Sequence, residues 1–185
     1  RANHPEVGVL ERDAMDISGK DLLSLLGLKR GQLDLLAGCP PCQGFSRIRR
    51  RNRKKVIRDD RNGLVLKFRS LIAEISPKAV MMENVPGLER DRRFSKLLGL
   101  LRRHGYKFSW DILDVADFGV PQRRKRLVLL AYKKSKPRIK DIKTLPLRTV
   151  RQTIGSLERP KESKKPLHKL GGRYSARIKK ILKSI

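Results

Sequence analysis

Two cysteines lie within one short segment, residues 38–46, whose sequence is GCPPCQGFS. The two prolines restrict the backbone and the two glycines allow tight turns, so this segment could hold a thiol rigidly at an exposed point. This segment has four possible interpretations. It is a zinc site, a redox-active pair, a structural loop with inert thiols, or a loop that carries a catalytic nucleophile. Zinc would need four ligands, whereas the chain offers only two cysteines and three histidines. A redox pair usually lies at the start of a helix, which the sequence does not indicate here.

Two further polar segments each lie next to an apolar run. Glu83 and Asn84 follow the run at residues 79–82, and a carboxyl group at the end of a hydrophobic strand is suited to donate a proton because partial desolvation favours its protonated form. The alternative is that the pair caps the next element. Residues 121–126 (PQRRKR) precede the run at 127–132 and are either a phosphate-binding cluster or a solvated run of charge.

The elements that must position these segments follow an α/β rhythm. Short apolar runs alternate with longer stretches of helical period, which predicts βα units and a mainly parallel sheet. Helices are predicted over residues 64–75, ending before Pro77, and from Phe94 to His104. Ligands bind at the carboxyl ends of strands in such sheets, where two of the three segments fall. The strand candidates are residues 7–10, 33–37, 79–82, 108–115 and 127–132.

Charge and length limit the class of protein. The chain has 46 lysines and arginines against 18 aspartates and glutamates, a net charge of +28. This excess predicts a polyanionic partner, with nucleic acid as the leading candidate and a solvated basic surface as the alternative. No apolar run is long enough to cross a bilayer. The periodicity weakens beyond about residue 135, which predicts a domain over residues 1–135 and a basic connector over 136–185.

Taken together, the three polar segments resemble the motifs of the cytosine carbon-5 DNA methyltransferases. Residues 41–43 (PCQ) resemble that family's nucleophile motif, residues 83–85 (ENV) its acid motif, and residues 122–126 (QRRKR) its arginine motif. The order is the family's order, and Cys42, Glu83 and Arg124 follow one another at equal intervals of 41 residues. The resemblance covers about residues 3–133, and residues 149–185 more faintly. It implies a Rossmann-like, mainly parallel sheet of the S-adenosylmethionine-dependent methyltransferase type.

The resemblance also implies catalytic roles. Cys42 would attack carbon 6 of cytosine, and Glu83 would protonate or hydrogen-bond ring nitrogen 3. Asn84 would position the exocyclic edge of the base or the loop. Arg126 would hold the cytosine O2, while Arg124 would brace the site near Glu83 and help to lower the pKa of Cys42. Chemistry above the ring plane requires the cytosine to be flipped out of the duplex.

The resemblance further implies a cofactor and a DNA surface. Asp13, Pro41 and Leu64 match positions that line the S-adenosylmethionine pocket of the family. The family's glycine-rich first loop, its ribose-binding acid and its last asparagine-containing motif have no counterparts here, so we expect the fold to be incomplete at both ends. Residues 149–185 would lead toward a target-recognition region. The residues expected to bind DNA are Gln43, Ser46, Arg47, Arg49, Arg50 and Gln122.

We therefore expect a DNA cytosine-5 methyltransferase of a bacterial or archaeal modification system. It would act on double-stranded DNA as a monomer in the cytoplasm, near the nucleoid, with neither a metal nor a membrane. The rivals are a transfer-RNA cytosine methyltransferase of the same fold and a catalytically inactive, basic nucleic-acid-binding remnant. A thiol oxidoreductase would need Cys39 as much as Cys42. In the methyltransferase interpretation Cys39 is only a small residue that packs beneath the loop.

Overall fold

A four-stranded sheet forms the centre of the described structure. The computed structural model describes residues 4–41, 63–158, 162 and 164. Within them, strands β1 (Leu35–Gly38), β2 (Ala79–Asn84), β3 (Lys107–Asp114) and β4 (Lys125–Tyr132) lie in the order β1-β2-β4-β3. The first pair, β1 and β2, is parallel, whereas β4 runs antiparallel to both β2 and β3. The predicted α/β class is confirmed, and the described sheet is mixed, with its parallel part at β1 and β2.

Two helices cover one face of this sheet, α2 (Leu64–Ile75) and α3 (Arg92–Arg103), and a shorter helix, α1 (Gly19–Leu25), precedes them. The predicted helix that carries its apolar face over residues 64–75 is confirmed. It ends because Ser76, just before Pro77, takes a left-handed conformation, with φ of 53°. The side chains of the core are apolar and include Val65, Phe68, Ile72, Val80, Met82, Phe94, Leu97, Leu101, Leu127 and Leu129.

The strand predicted at residues 7–10 is wrong. These residues are not in a strand, and Val7, Val9 and Leu10 are between 43 and 54% exposed. Valine favours strands only where a neighbouring strand and a packed face accept it, and this segment has neither within the described residues. The other four strand predictions are confirmed with shifted ends. Because β2 runs to Asn84 and β4 begins at Lys125, residues 83, 84 and 126 lie inside strands rather than in loops.

The chain divides into two compact units, Arg1–Leu147 and Arg148–Ile185. The first contains the sheet and helices α1 to α3. In the second, the described residues form a short helix, α4 (Val150–Ile154), which starts with a reciprocal capping box between Thr149 and Gln152. The boundary predicted after residue 135 stays a prediction. None of the helices described is long and apolar enough to cross a membrane.

Candidate active site

The ends of three adjacent strands meet at one edge of the sheet. Parallel pairing aligns Gly38 of β1 with Met82 of β2, so both strands end at the same edge. Strand β4 is antiparallel to β2, and therefore its first residues come to this edge as well, with Leu127 opposite Asn84. The polar residues that the sequence singled out at positions 83, 84 and 126 thereby lie at the same edge of the sheet.

Glu83 and Arg126 form an ion pair across β2 and β4. Arg126 Nε lies 2.6 Å from Glu83 Oε1, and the two side chains are only 19% and 31% exposed. Strand alternation explains the meeting, since Met82, Asn84 and Leu127 point into the helix-covered core and their neighbours must point to the other face. Arg126 also donates from Nη1 to the carbonyl of Lys125 at 2.8 Å, which restricts its guanidinium group.

The structure places Arg124 differently from Arg126. The side chain of Arg124 is exposed, and its backbone N–H donates to Asp114 Oδ1 at 3.0 Å. In the described contacts it is Arg126 that meets Glu83, and the predicted brace from Arg124 to Glu83 stays a prediction. Gln122 is exposed as well, as a DNA-contacting side chain would be.

Asn84 joins the ends of β1 and β2. It is buried, with 4% exposure, and its Nδ2 donates to the carbonyl of Pro40 at 2.8 Å. Its Oδ1 accepts the backbone N–H of Val85 at 2.8 Å, so both ends of the amide are bonded. Pro40 itself is buried. The backbone that leads toward residue 42 is therefore tied to the strand that carries Glu83, and Asn84 is placed to position this loop.

Cys39 lies beside Glu83, at the point where the chain leaves β1. The expectation that it packs beneath the loop is wrong, because Cys39 is exposed. Although the residue is exposed, partial desolvation of its thiol raises the pKa of Cys39, and the nearby Glu83 carboxylate raises it further by disfavouring a second negative charge. Cys39 is thus held as a thiol, which makes it a poor nucleophile. Nothing in the sequence pattern indicated that its neighbour would be Glu83.

Two of the three predicted cofactor residues belong to one neighbourhood. Asp13 accepts the N–H of Met15 at 2.9 Å and so caps a 3-10 turn, Ala14–Asp16. The Met15 side chain lies against Gly63, immediately before the half-buried Leu64 at the start of α2. Pro41 is exposed at the end of the described β1 loop. A carboxylate and apolar side chains therefore lie close together next to the start of α2.

Asp114 is a site residue that the sequence analysis missed. It ends β3, and its carboxylate accepts backbone N–H groups from Ala116 and Arg124 while Arg123 lies 3.6 Å away. Hydrogen bonds from Ala116 and Arg124, with the positive charge of Arg123, hold the pKa of Asp114 below its usual value. The signal available was an aspartate at the end of a predicted strand, close in sequence to the arginine segment.

Six predicted residues lie outside the described residues, so their positions and contacts remain predictions. They are Cys42, Gln43, Ser46, Arg47, Arg49 and Arg50. Within the described part of the chain, no group of three or more histidine, cysteine, aspartate or glutamate side chains could hold a metal ion.

The chain is similar in sequence to one protein family and to curated proteins. A family described as C-5 cytosine-specific DNA methylase matches residues 1–183. The Type II methyltransferase M.XorII of Xanthomonas oryzae is 34% identical over 158 residues, which are 83% of this chain and 35% of that protein. The Type II methylase M.HgiDII of Herpetosiphon aurantiacus is 35% identical over 153 residues, 80% of this chain and 42% of its own length. The chain thus spans well under half the length of these relatives.

Solved structures show the same fold. The methyltransferase EhMeth of Entamoeba histolytica superposes with a TM-score of 0.61 over 80% of this chain and 45% of its own, at 21% identity. The Dnmt2 methyltransferase of S. pombe gives a TM-score of 0.57 over 82% of this chain and 44% of its own, at 25% identity. With these neighbours, the Rossmann-like methyltransferase fold is confirmed.

Proposed function

The chain belongs to the C-5 cytosine-specific DNA methylase family, and we propose that it is part of an enzyme that transfers a methyl group from S-adenosylmethionine to carbon 5 of a flipped-out cytosine in duplex DNA. The relatives that are type II methyltransferases support a role in a bacterial or archaeal restriction-modification system. Such an enzyme works in the cytoplasm, in association with the nucleoid.

The observation that carries this proposal is the Glu83–Arg126 pair, which lies at the edge of the sheet where the Pro40–Pro41 backbone departs toward Cys42. Cytosine is a weak carbon nucleophile, so carbon 5 becomes reactive only after a nucleophile has added to carbon 6. A carboxyl group next to a guanidinium group can stabilise the charge that this addition places on the ring. It can hold or donate a proton at ring nitrogen 3 while the guanidinium group binds the carbonyl oxygen O2.

The residues then divide the work as follows. The Cys42 thiolate forms a bond to carbon 6, and Glu83 hydrogen-bonds or protonates nitrogen 3 so that negative charge does not remain on the ring. Arg126 orients both Glu83 and O2 of the base. S-adenosylmethionine, when bound, supplies an electrophilic methyl group for carbon 5. Loss of the carbon-5 proton then restores the ring, and the bond between the sulfur and carbon 6 breaks.

The neighbourhood of Asp13 fits the adenosine part of S-adenosylmethionine. The exposed Asp13 carboxylate can accept a hydrogen bond from an amine or hydroxyl group, and the side chains of Met15 and Leu64 offer apolar surface for a purine ring. Pro41 would line the pocket from the β1 loop. Equilibrium binding of S-adenosylmethionine tests this without any turnover, because Asp13→Asn should weaken binding while Asp34→Asn should not. Asp34 is a matched control because its carboxylate is exposed and pairs with Lys78.

Contact with DNA is proposed for the basic residues after Cys42. Arg47, Arg49 and Arg50 would neutralise phosphates, with Gln43, Ser46 and Gln122 beside the extruded nucleotide. Each phosphate contact that is lost should reduce the salt dependence of binding. If replacing Arg49, Arg50 and Arg51 together left the slope of DNA affinity against salt unchanged, this assignment would be wrong.

Covalent trapping tests the function itself. In DNA that contains 5-fluorocytosine the carbon-5 proton is absent, so an active enzyme should remain attached to the base through sulfur. We expect trapping by the wild-type and Cys39→Ser proteins and none by Cys42→Ser. Equal loss in both variants would mean that Cys39 is needed as much as Cys42, and no trapping by the wild type would favour a non-catalytic binder or a thiol oxidoreductase. Comparing methyl incorporation into duplex DNA and transfer RNA separates the DNA enzyme from its RNA rival.

A further inference from the structure

The arginine segment poses a problem of register. Residues 123–126 are four consecutive cations, and more than one of them is long enough to reach a carboxylate on the neighbouring strand. A slip of one residue between β4 and its neighbours would turn the side chain of Arg126 to the helix-covered face, and a slip of two would bring Arg124 to its place. Something must therefore fix which arginine meets Glu83.

Asp114 holds the backbone at the point that decides this register. Its Oδ1 accepts the N–H of Arg124 at 3.0 Å, and the N–H of Val115 in turn donates to the carbonyl of Arg124 at 3.0 Å. Both backbone polar groups of Arg124 are thus bonded to consecutive residues at the end of β3. Oδ1 also accepts the N–H of Ala116 at 3.2 Å, which ties the carboxylate to the turn that follows β3.

The negative charge of Asp114 also helps to hold the arginine segment at the start of β4. Arg123 Nη1 lies 3.6 Å from Oδ2, and the Asp114 side chain is only 11% exposed. A single carboxylate therefore faces the start of a run of four cations, whose mutual repulsion would otherwise push the segment away from the sheet. From this anchor, pairing of Asp114 with Lys125 and of Leu113 with Arg126 continues directly into β4.

We propose that Asp114 is a positioning residue that selects Arg126 as the partner of Glu83 by fixing the register at the start of β4. It does so through Arg124, two residues away, and has no contact of its own with the reacting base. This inference rests on the proposed methyltransferase function only where catalysis is the readout. The selection of Arg126 is a property of the folded chain and can be measured without turnover.

The test compares Asp114→Ala, Asp114→Asn and the control Asp111→Asn. Asp111 lies on the same strand, and its carboxylate accepts the N–H of its own neighbour Ile112. The first readout is the nuclear magnetic resonance signal of the Arg126 Nε–H, assigned by its loss in Arg126→Lys. We expect this signal to move toward the position of a solvated arginine in Asp114→Ala. It should stay in place in Asp111→Asn, and largely in Asp114→Asn, which keeps an oxygen acceptor.

The second readout is the kinetics of methyl transfer. Because small displacements of an orienting group reduce turnover steeply, Asp114→Ala should lower kcat by about tenfold or more with less than about a threefold change in KM for DNA. Asp114→Asn should restore most of that loss. An unmoved Arg126 signal and an unchanged kcat in a folded Asp114→Ala protein would overturn the inference. If the wild-type protein transferred no methyl group to DNA, the proposed function would fail instead, whatever the Arg126 signal did in the Asp114 variants.

Discussion

Arg126 reaches Glu83 diagonally across the antiparallel pair that β2 and β4 form, because the residue directly opposite Glu83 is Val128. The contact joins two segments that are 43 residues apart in the sequence. It places a carboxylate and a guanidinium group side by side at the edge of the sheet, and the two must be tested together.

Replacing Arg126 should destabilise the protein and, under the proposed function, stop methyl transfer. Arg126→Gln leaves the largely shielded Glu83 carboxylate without its cation, and we expect a loss of roughly 1–3 kcal/mol in the free energy of unfolding. Arg124→Gln is the matched control, since an exposed side chain should change this value by less than about 0.5 kcal/mol. Urea unfolding measures both. Equal losses in the two variants would mean that the ion pair contributes no more to stability than an exposed arginine does.

Asn84 should contribute more to the free energy of unfolding than to substrate binding. Asn84→Ala removes the donor to the Pro40 carbonyl and the acceptor for Val85 in a buried place, at a cost of about 1–3 kcal/mol. Asn84→Asp should be worse, because a carboxylate oxygen would face the carbonyl of Pro40. Urea unfolding gives the values, with Gln122→Ala as an exposed control. Asn84→Ala and Gln122→Ala proteins of equal stability would contradict the role as a tie between the strands.

The sequence predicted the two helices that cover the sheet, and most of its strands, because their signals are local. The 64–75 helix shows its apolar face in its own residues, and Pro77 marks its end. The segment at 7–10 failed because a strand exists only with a partner, and its own valines could not reveal whether one would be there. The ends of β2 and β4 were misplaced for the same reason, since pairing carries each strand into its charged residues.

The candidate site was predicted in its residue types but not in its contacts. The resemblance to the family's motifs indicated Glu83, Asn84 and Arg126, and the topology brings all three residues to one edge of the sheet. Which arginine meets Glu83 depends on the register of β4, and four consecutive cations look alike in a sequence. Asp114 was missed and Cys39 was misjudged because their contacts depend on how the strands pair, which brings Arg124 to Asp114 and Glu83 to Cys39.

Cys39 offers a direct probe of the charge at Glu83. Partial burial and the Glu83 carboxylate raise its pKa, so at neutral pH it should react slowly with iodoacetamide. In a Cys42→Ser background, Glu83→Gln should lower the pKa of Cys39 and speed its alkylation, which mass spectrometry follows over a range of pH. Glu89→Gln is the control, because Glu89 is exposed on the turn after β2. Identical alkylation profiles in all three proteins would show that Glu83 exerts no electrostatic effect on this thiol.

Position 38, the last residue of β1, should not accept a residue larger than glycine as long as Phe68 stays in its present position. A Cβ at this position would lie 2.6 Å from Cε2 of Phe68, a residue of the core, so Gly38→Ala should cost about 1–3 kcal/mol of unfolding free energy through overpacking. Gly99→Ala is the matched control. Its Cβ would only reach ordinary contact with Arg103, and alanine inside helix α3 should stabilise the protein by roughly 0.5–1 kcal/mol.

The Phe68→Leu substitution, which introduces a smaller side chain, tests whether Phe68 is what crowds a side chain at position 38. Phe68→Leu alone should destabilise the protein because it leaves a cavity against β1. Combined with Gly38→Ala, however, the added methyl group can occupy part of that space, so the double variant should lose less than the sum of the two single losses. Thermal and urea unfolding of the four proteins give the coupling. Strictly additive losses would mean that crowding against Phe68 is not what limits the size of the residue at position 38.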